Sequence, residues 1–190
     1  MEAPLFPLHT VLYPRGPLPL RIFEKRYIDM ISHCMKTDSP FGVLLIKKGN
    51  ETGPAETCDV GTLAKIVDWY QGSDGLLGVT AIGQQKFRVI STRRQDDGLM
   101  LGTIETLPVE PACPLPEKYR PLAGILSGVI DDLGRLYDVV EKDYDDAGWL
   151  GYRFAEILPM TSLQKQACLE TDDPIARLES MRAVLESVRL

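Results

Sequence analysis

Prolines divide this sequence more sharply than any other residue type. Pro4, Pro7, Pro14, Pro17 and Pro19 interrupt short apolar runs at the N-terminus, and Pro108, Pro111, Pro114, Pro116 and Pro121 form a second group past the middle. Proline lacks an N–H and fixes φ, so the first group is incompatible with a helix or a central strand. It predicts an extended, kinked segment that lies along a β-structure at sheet edges, strand starts and turns. The second group resists both helix and sheet and predicts a boundary, with one subdomain over 1–110 and another over 111–190.

Between the two groups the pattern is mostly β. Tyr27, Ile31, Cys34 and Met35 fall on one face of a short helix over about Glu24–Met35. Phe41-Gly-Val-Leu-Leu-Ile46 reads as a buried strand, and a polar loop follows through Thr57. Thr62–Tyr70 and Leu76–Ile82 read as a hairpin turned by Ser73-Asp-Gly75, and Lys86–Thr92 and Leu99–Leu107 as a second about Asp97-Gly98. Strands this short and close predict a small barrel or a folded mixed sheet.

Past the boundary the periodicity is helical. Leu122, Ile125, Leu126, Val129, Ile130, Leu133, Leu136, Tyr137 and Val140 make one apolar stripe, predicting a long helix that holds the second subdomain together. Gly124, Gly128 and Gly134 sit between stripe positions, where a closely packed neighbouring backbone would account for them. Leu150, Phe154, Ile157 and Leu158 begin another helix, which Pro159 ends. Asp173-Pro174 is an N-cap followed by proline at the first helical position, opening a last helix with Ile175, Leu178, Leu185 and Val188.

A chain of 190 residues suits one domain or two small ones sharing an interface, and can bury a core without metal or disulfide. The net charge is −6. Residues 1–110 contribute 12 basic against 13 acidic side chains and residues 111–190 contribute 9 against 14, so the excess lies in the second part. That balance opposes phosphate backbones and disfavours nucleic acid. Lys86, Arg88, Arg93 and Arg94 make a modest basic strand; Phe87 and Val89 alternate with its first two charges, as on a one-sided strand with a solvated face.

The candidate chemistry is sparse. Cys34, Cys58, Cys113 and Cys168 are scattered without close pairs, so they read as free thiols in a reducing compartment and not as a zinc site. Ser162-Leu-Gln-Lys165 matches S-x-x-K, but S-D-N and K-T-G are absent and Thr161-Ser-Leu-Gln164 fits a capping box. Asp143-Tyr-Asp-Asp-Ala-Gly148 opens like a calcium loop, yet Ala147 stands at position 5 and Phe154 at position 12, where ligands are required. His9 and His33 have no evident catalytic partners. No G-x-x-x-x-G-K-[ST] occurs, and no cofactor is expected. With neither a basic leader nor an apolar run of membrane-spanning length, the chain is expected in the cytoplasm, without a membrane partner.

The opening Ala3-Pro-Leu-Phe-Pro-Leu8, Val11-Leu-Tyr-Pro14 and Leu18-Pro-Leu-Arg-Ile-Phe-Glu-Lys-Arg-Tyr27 closely resembles the start of the Lon N-terminal domain, the substrate-recognition module of ATP-dependent Lon (La) protease. Phe41-Gly-Val43, Val60-Gly-Thr-Leu-Ala-Lys-Ile66, Asp74-Gly75, Gly83 and Phe87-Arg-Val89 extend the likeness, as do Leu158-Pro-Met-Thr161, Lys165-Gln166, Leu169-Glu170, Asp173-Pro174 and Arg177-Leu178. The resemblance implies an α+β fold, a PUA-like pseudo-barrel followed by a helical bundle. It also implies a non-catalytic, stand-alone recognition module for unfolded polypeptide or a specific protein partner. An RNA-binding PUA-like module and an adaptor docking onto a separate protease are the alternatives.

Phe23-Glu-Lys-Arg-Tyr27 is the most distinctive matched motif, and it supports two readings. In one, Glu24 and Arg26 pair to hold the helix start while Phe23 and Tyr27 pack beneath. In the other, Arg21, Phe23, Glu24, Arg26 and Tyr27 line a groove for extended polypeptide, with Trp149 and Tyr152 as a facing aromatic wall.

Overall fold

The computed structural model describes residues 1–51, 53 and 55–188. The chain forms two compact units, Met1–Pro108 and Val109–Leu190. Among the described residues the first carries seven strands and one helix: β1 (Glu2–Leu8), β2 (Pro17–Ile22), α1 (Lys25–Thr37), β3 (Phe41–Gly49), β4 (Ala55–Thr57), β5 (Val60–Gln71), β6 (Leu77–Arg94) and β7 (Met100–Thr106). The strands pair in the order β1-β7-β6-β5-β3, and a parallel β1–β3 ladder closes the ring. A ring of strands removes the exposed edges that an open sheet would leave.

Apolar residues face both sides of the ring. Ala3, Leu5, Leu44, Leu63, Phe87, Met100 and Ile104 form one cluster. The alternate positions, Phe6, Leu8, Phe41 and Val43, join a second cluster with Leu18, Leu20 and Ile22 of β2 and with Tyr27, Met30, Ile31 and Cys34 of α1. Strands buried on both faces need continuous apolar runs, which accounts for Phe41–Ile46. The same arrangement corrects the reading of β1 as an edge segment. It pairs with β7 over Glu2–Leu5 and with β3 over Leu5–Leu8, so it is the strand that closes the barrel. Pro4 lies opposite β7 alone and Pro7 opposite β3 alone, so each proline has a ladder on one side only, where a missing N–H is tolerated.

Three further expectations are revised. The polar segment before Thr57 contains the short β4, paired with the end of β3. The two hairpins share one strand: β6 runs 18 residues without a turn, its first part between β5 and β2 and its last part against β7. Gln84 and Gln85 interrupt the apolar alternation but supply no turn chemistry, so the chain continues through register shifts instead. On α1 the buried stripe is Tyr27, Met30, Ile31 and Cys34, leaving Met35 exposed.

The second unit holds α2 (Arg120–Leu133), α3 (Ala147–Ile157), α4 (Ser162–Glu170), α5 (Pro174–Ser180) and α6 (Arg182–Ser187). The long apolar stripe is not one helix. It breaks at Gly134, whose φ of 62° ends α2, and continues as a 3-10 turn over Gly134–Tyr137. Only Leu126 and Ile130 of α2 are buried, whereas every residue of α3 from Ala147 to Ala155 is buried. The central element is therefore α3. No neighbouring backbone packs on the α2 glycines either: a methyl group at Gly124, Gly128 or Gly134 would meet nothing within 4 Å.

The helix starts follow their capping residues. Thr161 and Gln164 form a capping box on α4, and Asp173 Oδ1 accepts from Ile175 N at 2.8 Å and Ala176 N at 3.2 Å on α5. Asp146 caps α3, accepting from Trp149 N at 2.7 Å, and Asp145, at position 3 of the calcium-like loop, pairs with Arg120 at 3.0 Å. The expected last helix is two, because the backbone turns at Met181 between α5 and α6.

Cys34, Cys58 and Cys168 are buried and Cys113 is half-buried; all four are free thiols. Burial pushes the Cys34 and Cys168 thiols up, away from the reactive thiolate. Native protein treated with iodoacetamide at neutral pH is expected to gain one label, at Cys113, by mass spectrometry, and four after denaturation. Labelling of Cys168 as fast as Cys113 would contradict its packing between α4 and α5.

A candidate polypeptide groove beside α1

Strand β2 ends at Ile22 and α1 begins at Lys25, leaving two residues to turn the chain. Leu18, Leu20 and Ile22 point into the core at alternate positions, as a strand with one buried face requires. Phe23 falls in the turn and stays 62% exposed, too large an apolar surface to be accounted for by core packing. Glu24 is the N-cap of α1, with extended backbone and no side-chain capping bond. Its carboxylate instead meets Arg26 at 2.8 Å.

Arg26 is held on several sides. It donates to Gly98 O at 3.0 Å and to Glu51 O at 3.3 Å, and its guanidinium lies 4.7 Å from the Tyr27 ring centroid. Tyr27 is buried and stacks on Phe6 with centroids 3.9 Å apart. Desolvation raises the Tyr27 hydroxyl above its ordinary pKa, partly offset by the positive charge of Arg26. Arg21 pairs with Asp74 in the β5–β6 turn, both side chains being about half exposed.

These elements enclose a groove of about 240 Å³. Its apolar floor comes from Phe6, Leu8, Leu18, Leu20, Ile22 and Tyr27, and its rim from Thr10, Pro19, Arg21, Phe23, Glu24 and Glu51. Arg21, Phe23, Glu24 and Tyr27 thus line one concavity. Arg26 faces a neighbouring one with Asp29 and Asp97. Of the structural reading, the Glu24–Arg26 pair and the packing of Tyr27 are present, but Phe23 does not pack beneath.

The remaining candidates lie elsewhere. Trp149 and Tyr152 belong to the helical unit, where they are 2% and 4% exposed, so neither presents a ring face as a peptide wall. Burial raises the Tyr152 hydroxyl well above its ordinary pKa, and its ring is covered by the Arg177 guanidinium at 3.7 Å. Of the basic strand, Arg88, Arg93 and Arg94 are exposed, as a solvated face requires, and Lys86 is the exception. Lys86 is buried, and Arg93 donates to both Glu2 carboxylate oxygens at 3.0 and 3.1 Å. Lys165 donates to Glu156 O at 2.7 Å, and burial lowers its ammonium pKa. Among the described residues no group of three or more histidines, cysteines or acids is placed to hold a metal ion. Nor is any described helix long and apolar enough to cross a membrane. The groove floor was missed in sequence, although Leu18, Leu20 and Ile22 already carried the alternation that marks it.

A closed mixed barrel followed by a helical unit is the architecture of a Lon N-terminal domain. The family model of the ATP-dependent protease La (LON) substrate-binding domain matches residues 2–187, and the chain belongs to that family. The Lon N-terminal domain protein of Xanthomonas campestris superposes with a TM-score of 0.79 at 35% identity, covering 96% of this chain and 98% of that one. The N-terminal domain of a Mycobacterium avium complex Lon protease shares the fold, with a TM-score of 0.62 at 16% identity over 98% and 97% of the two chains. A LON peptidase N-terminal domain and RING finger protein of Schizosaccharomyces pombe is 28% identical over 92% of this chain and 43% of its own length. Chicken cereblon is 29% identical over 52% of this chain and 22% of its own length. The chain thus spans less than half the length of these curated relatives.

Proposed function

We propose that this domain is a non-catalytic recognition module that captures extended, unfolded polypeptide in the groove between β2 and α1. One observation carries the reading: Phe23 stands largely exposed on the rim of a concavity floored by buried aliphatic and aromatic side chains. Such a site takes apolar side chains from an extended chain, while polar rim groups bind its backbone. Membership of a substrate-binding-domain family supports the same reading.

The test is fluorescence anisotropy of a labelled unfolded polypeptide titrated with the protein at physiological salt, with RNA as competitor. Saturable binding that RNA does not displace is expected. Phe23→Ala should weaken it roughly tenfold, the loss of one exposed aromatic anchor, with circular dichroism and melting unchanged. Tyr27→Ala should instead lower stability by about 3–5 kcal/mol, because Tyr27 is core. Binding that survives Phe23→Ala intact would remove the groove from consideration. Displacement by RNA with a steep salt dependence would favour the nucleic-acid reading.

A further inference from the structure

The arm formed by β2, the first part of β6 and the last part of β5 has two outer edges, and they are built differently. The β2 edge carries Pro17 and Pro19, whose missing N–H groups blunt it against further pairing. On the other side β5 is paired with β3 only as far as Ala64, so residues 65–71 have β6 as their one strand neighbour among the described residues. That edge contains no proline. It presents Val67, Trp69 and Tyr70, which are 48%, 57% and 51% exposed.

A groove of about 180 Å³ runs beside this edge, with Met35 and Asp38 at the end of α1 on one wall and Lys65, Val67, Asp68 and Trp69 on the other. Trp69 N donates to the side chain of the preceding residue, Asp68 Oδ1, at 2.8 Å. That local bond satisfies a backbone donor that an adjacent strand would otherwise take. Lys65 is already neutralised by Asp38 at 3.0 Å, while among the described residues no basic side chain pairs with Asp68.

We infer that residues 65–71 of β5 form a second polypeptide-binding edge, which accepts by strand addition an extended segment of another protein that alternates apolar and basic residues. The incoming carbonyl replaces Asp68 on Trp69 N. The released carboxylate pairs with a basic side chain of the added strand, and Val67, Trp69 and Met35 receive its apolar ones. A second copy of this chain fits less well, since antiparallel pairing about Asp68 sets two carboxylates opposite each other. The inference rests on the polypeptide-recognition reading above but uses a different surface, and its failure is separable from that of the Phe23 groove.

The probe is a fluorescein-labelled nine-residue peptide of alternating valine and lysine, compared with the same peptide N-methylated at alternate amides so that it cannot form a ladder. Trp69 provides a second signal, because the only other tryptophan, Trp149, is buried. The unmodified peptide should bind wild-type protein and shift tryptophan emission to the blue. N-methylation, or Trp69→Ser, should weaken binding by about tenfold or more through lost ladder bonds or a lost anchor. Equal affinity for the methylated peptide would overturn strand addition, and full affinity of Trp69→Ser would overturn the location. Loss of binding with Phe23→Ala alone would place the peptide in the first groove and overturn only this inference. Dimers abolished by Trp69→Ser, with no peptide bound, would assign the edge to a second copy and overturn it as well.

Discussion

Arg177→Met is expected to cost about 3–5 kcal/mol of unfolding free energy, a large share of the roughly 5–15 kcal/mol by which a domain is stable. Arg177 is fully buried on α5, and its guanidinium joins segments far apart in sequence. Nε donates to Cys168 O at 3.0 Å on α4, and Nη2 donates to Thr171 O at 2.6 Å and to the Tyr152 hydroxyl at 2.9 Å on α3. Nη1 donates to Glu110 Oε1 at 3.1 Å, and the Tyr152 hydroxyl donates to Glu110 Oε2 at 3.2 Å. Removing the cation leaves Glu110, only 14% exposed, as an uncompensated charge, together with carbonyls that lose their donors. Urea unfolding followed by circular dichroism measures the loss. The double variant Arg177→Met/Glu110→Leu should recover much of it, because the dominant penalty is the stranded carboxylate. A single variant costing less than about 1 kcal/mol would mean that these bonds do not hold the helical unit together.

Gly83→Ala is expected to destabilise the barrel unit by about 3 kcal/mol, at the upper end of overpacking effects. A methyl group there would lie 2.0 Å from Tyr13 O and 2.9 Å from Tyr13 C. Both are backbone atoms, so no side-chain rotation relieves the clash. The segment cannot simply withdraw, because Arg15 N donates to Gly83 O at 2.6 Å and Gly83 N to Gly16 O at 2.9 Å. Gly124→Ala is the matched control on α2. It meets nothing within 4 Å and should gain up to about 1 kcal/mol from helix propensity. Chemical denaturation of both variants tests the pair; equal effects would mean that the crossing at Gly83 is looser than its geometry.

Gly83 illustrates how far the sequence could be read. It stood out as a matched motif residue, but nothing nearby in sequence indicated that Tyr13 crosses over it, 70 positions away. The same limit appears at Trp149 and Tyr152. Their aromatic character identified them as important without distinguishing a core role from a binding wall, since burial depends on neighbours distant in sequence. Phe23 stood between two readings, packing beneath the helix start or lining a groove, and its sequence neighbours did not choose between them. The stripe from Leu122 to Val140 misled because apolar spacing registers a helix but not its interruption, and Gly134 alone carried that signal.

What the sequence by itself determined is local: the start of α1, the capping of α4 by Thr161 and Gln164 and of α5 by Asp173, and the turns at Gly75 and Gly98. Each depends on residues within a few positions, where backbone conformation and short hydrogen bonds dominate. Only the tertiary structure decided that β1 closes a barrel, that α3 forms the centre of the helical unit, that Phe23 overlooks a groove and that β5 keeps an open edge. Those outcomes follow from long-range pairing and burial, whose energies belong to contacts between distant residues and so leave no pattern within either stretch alone.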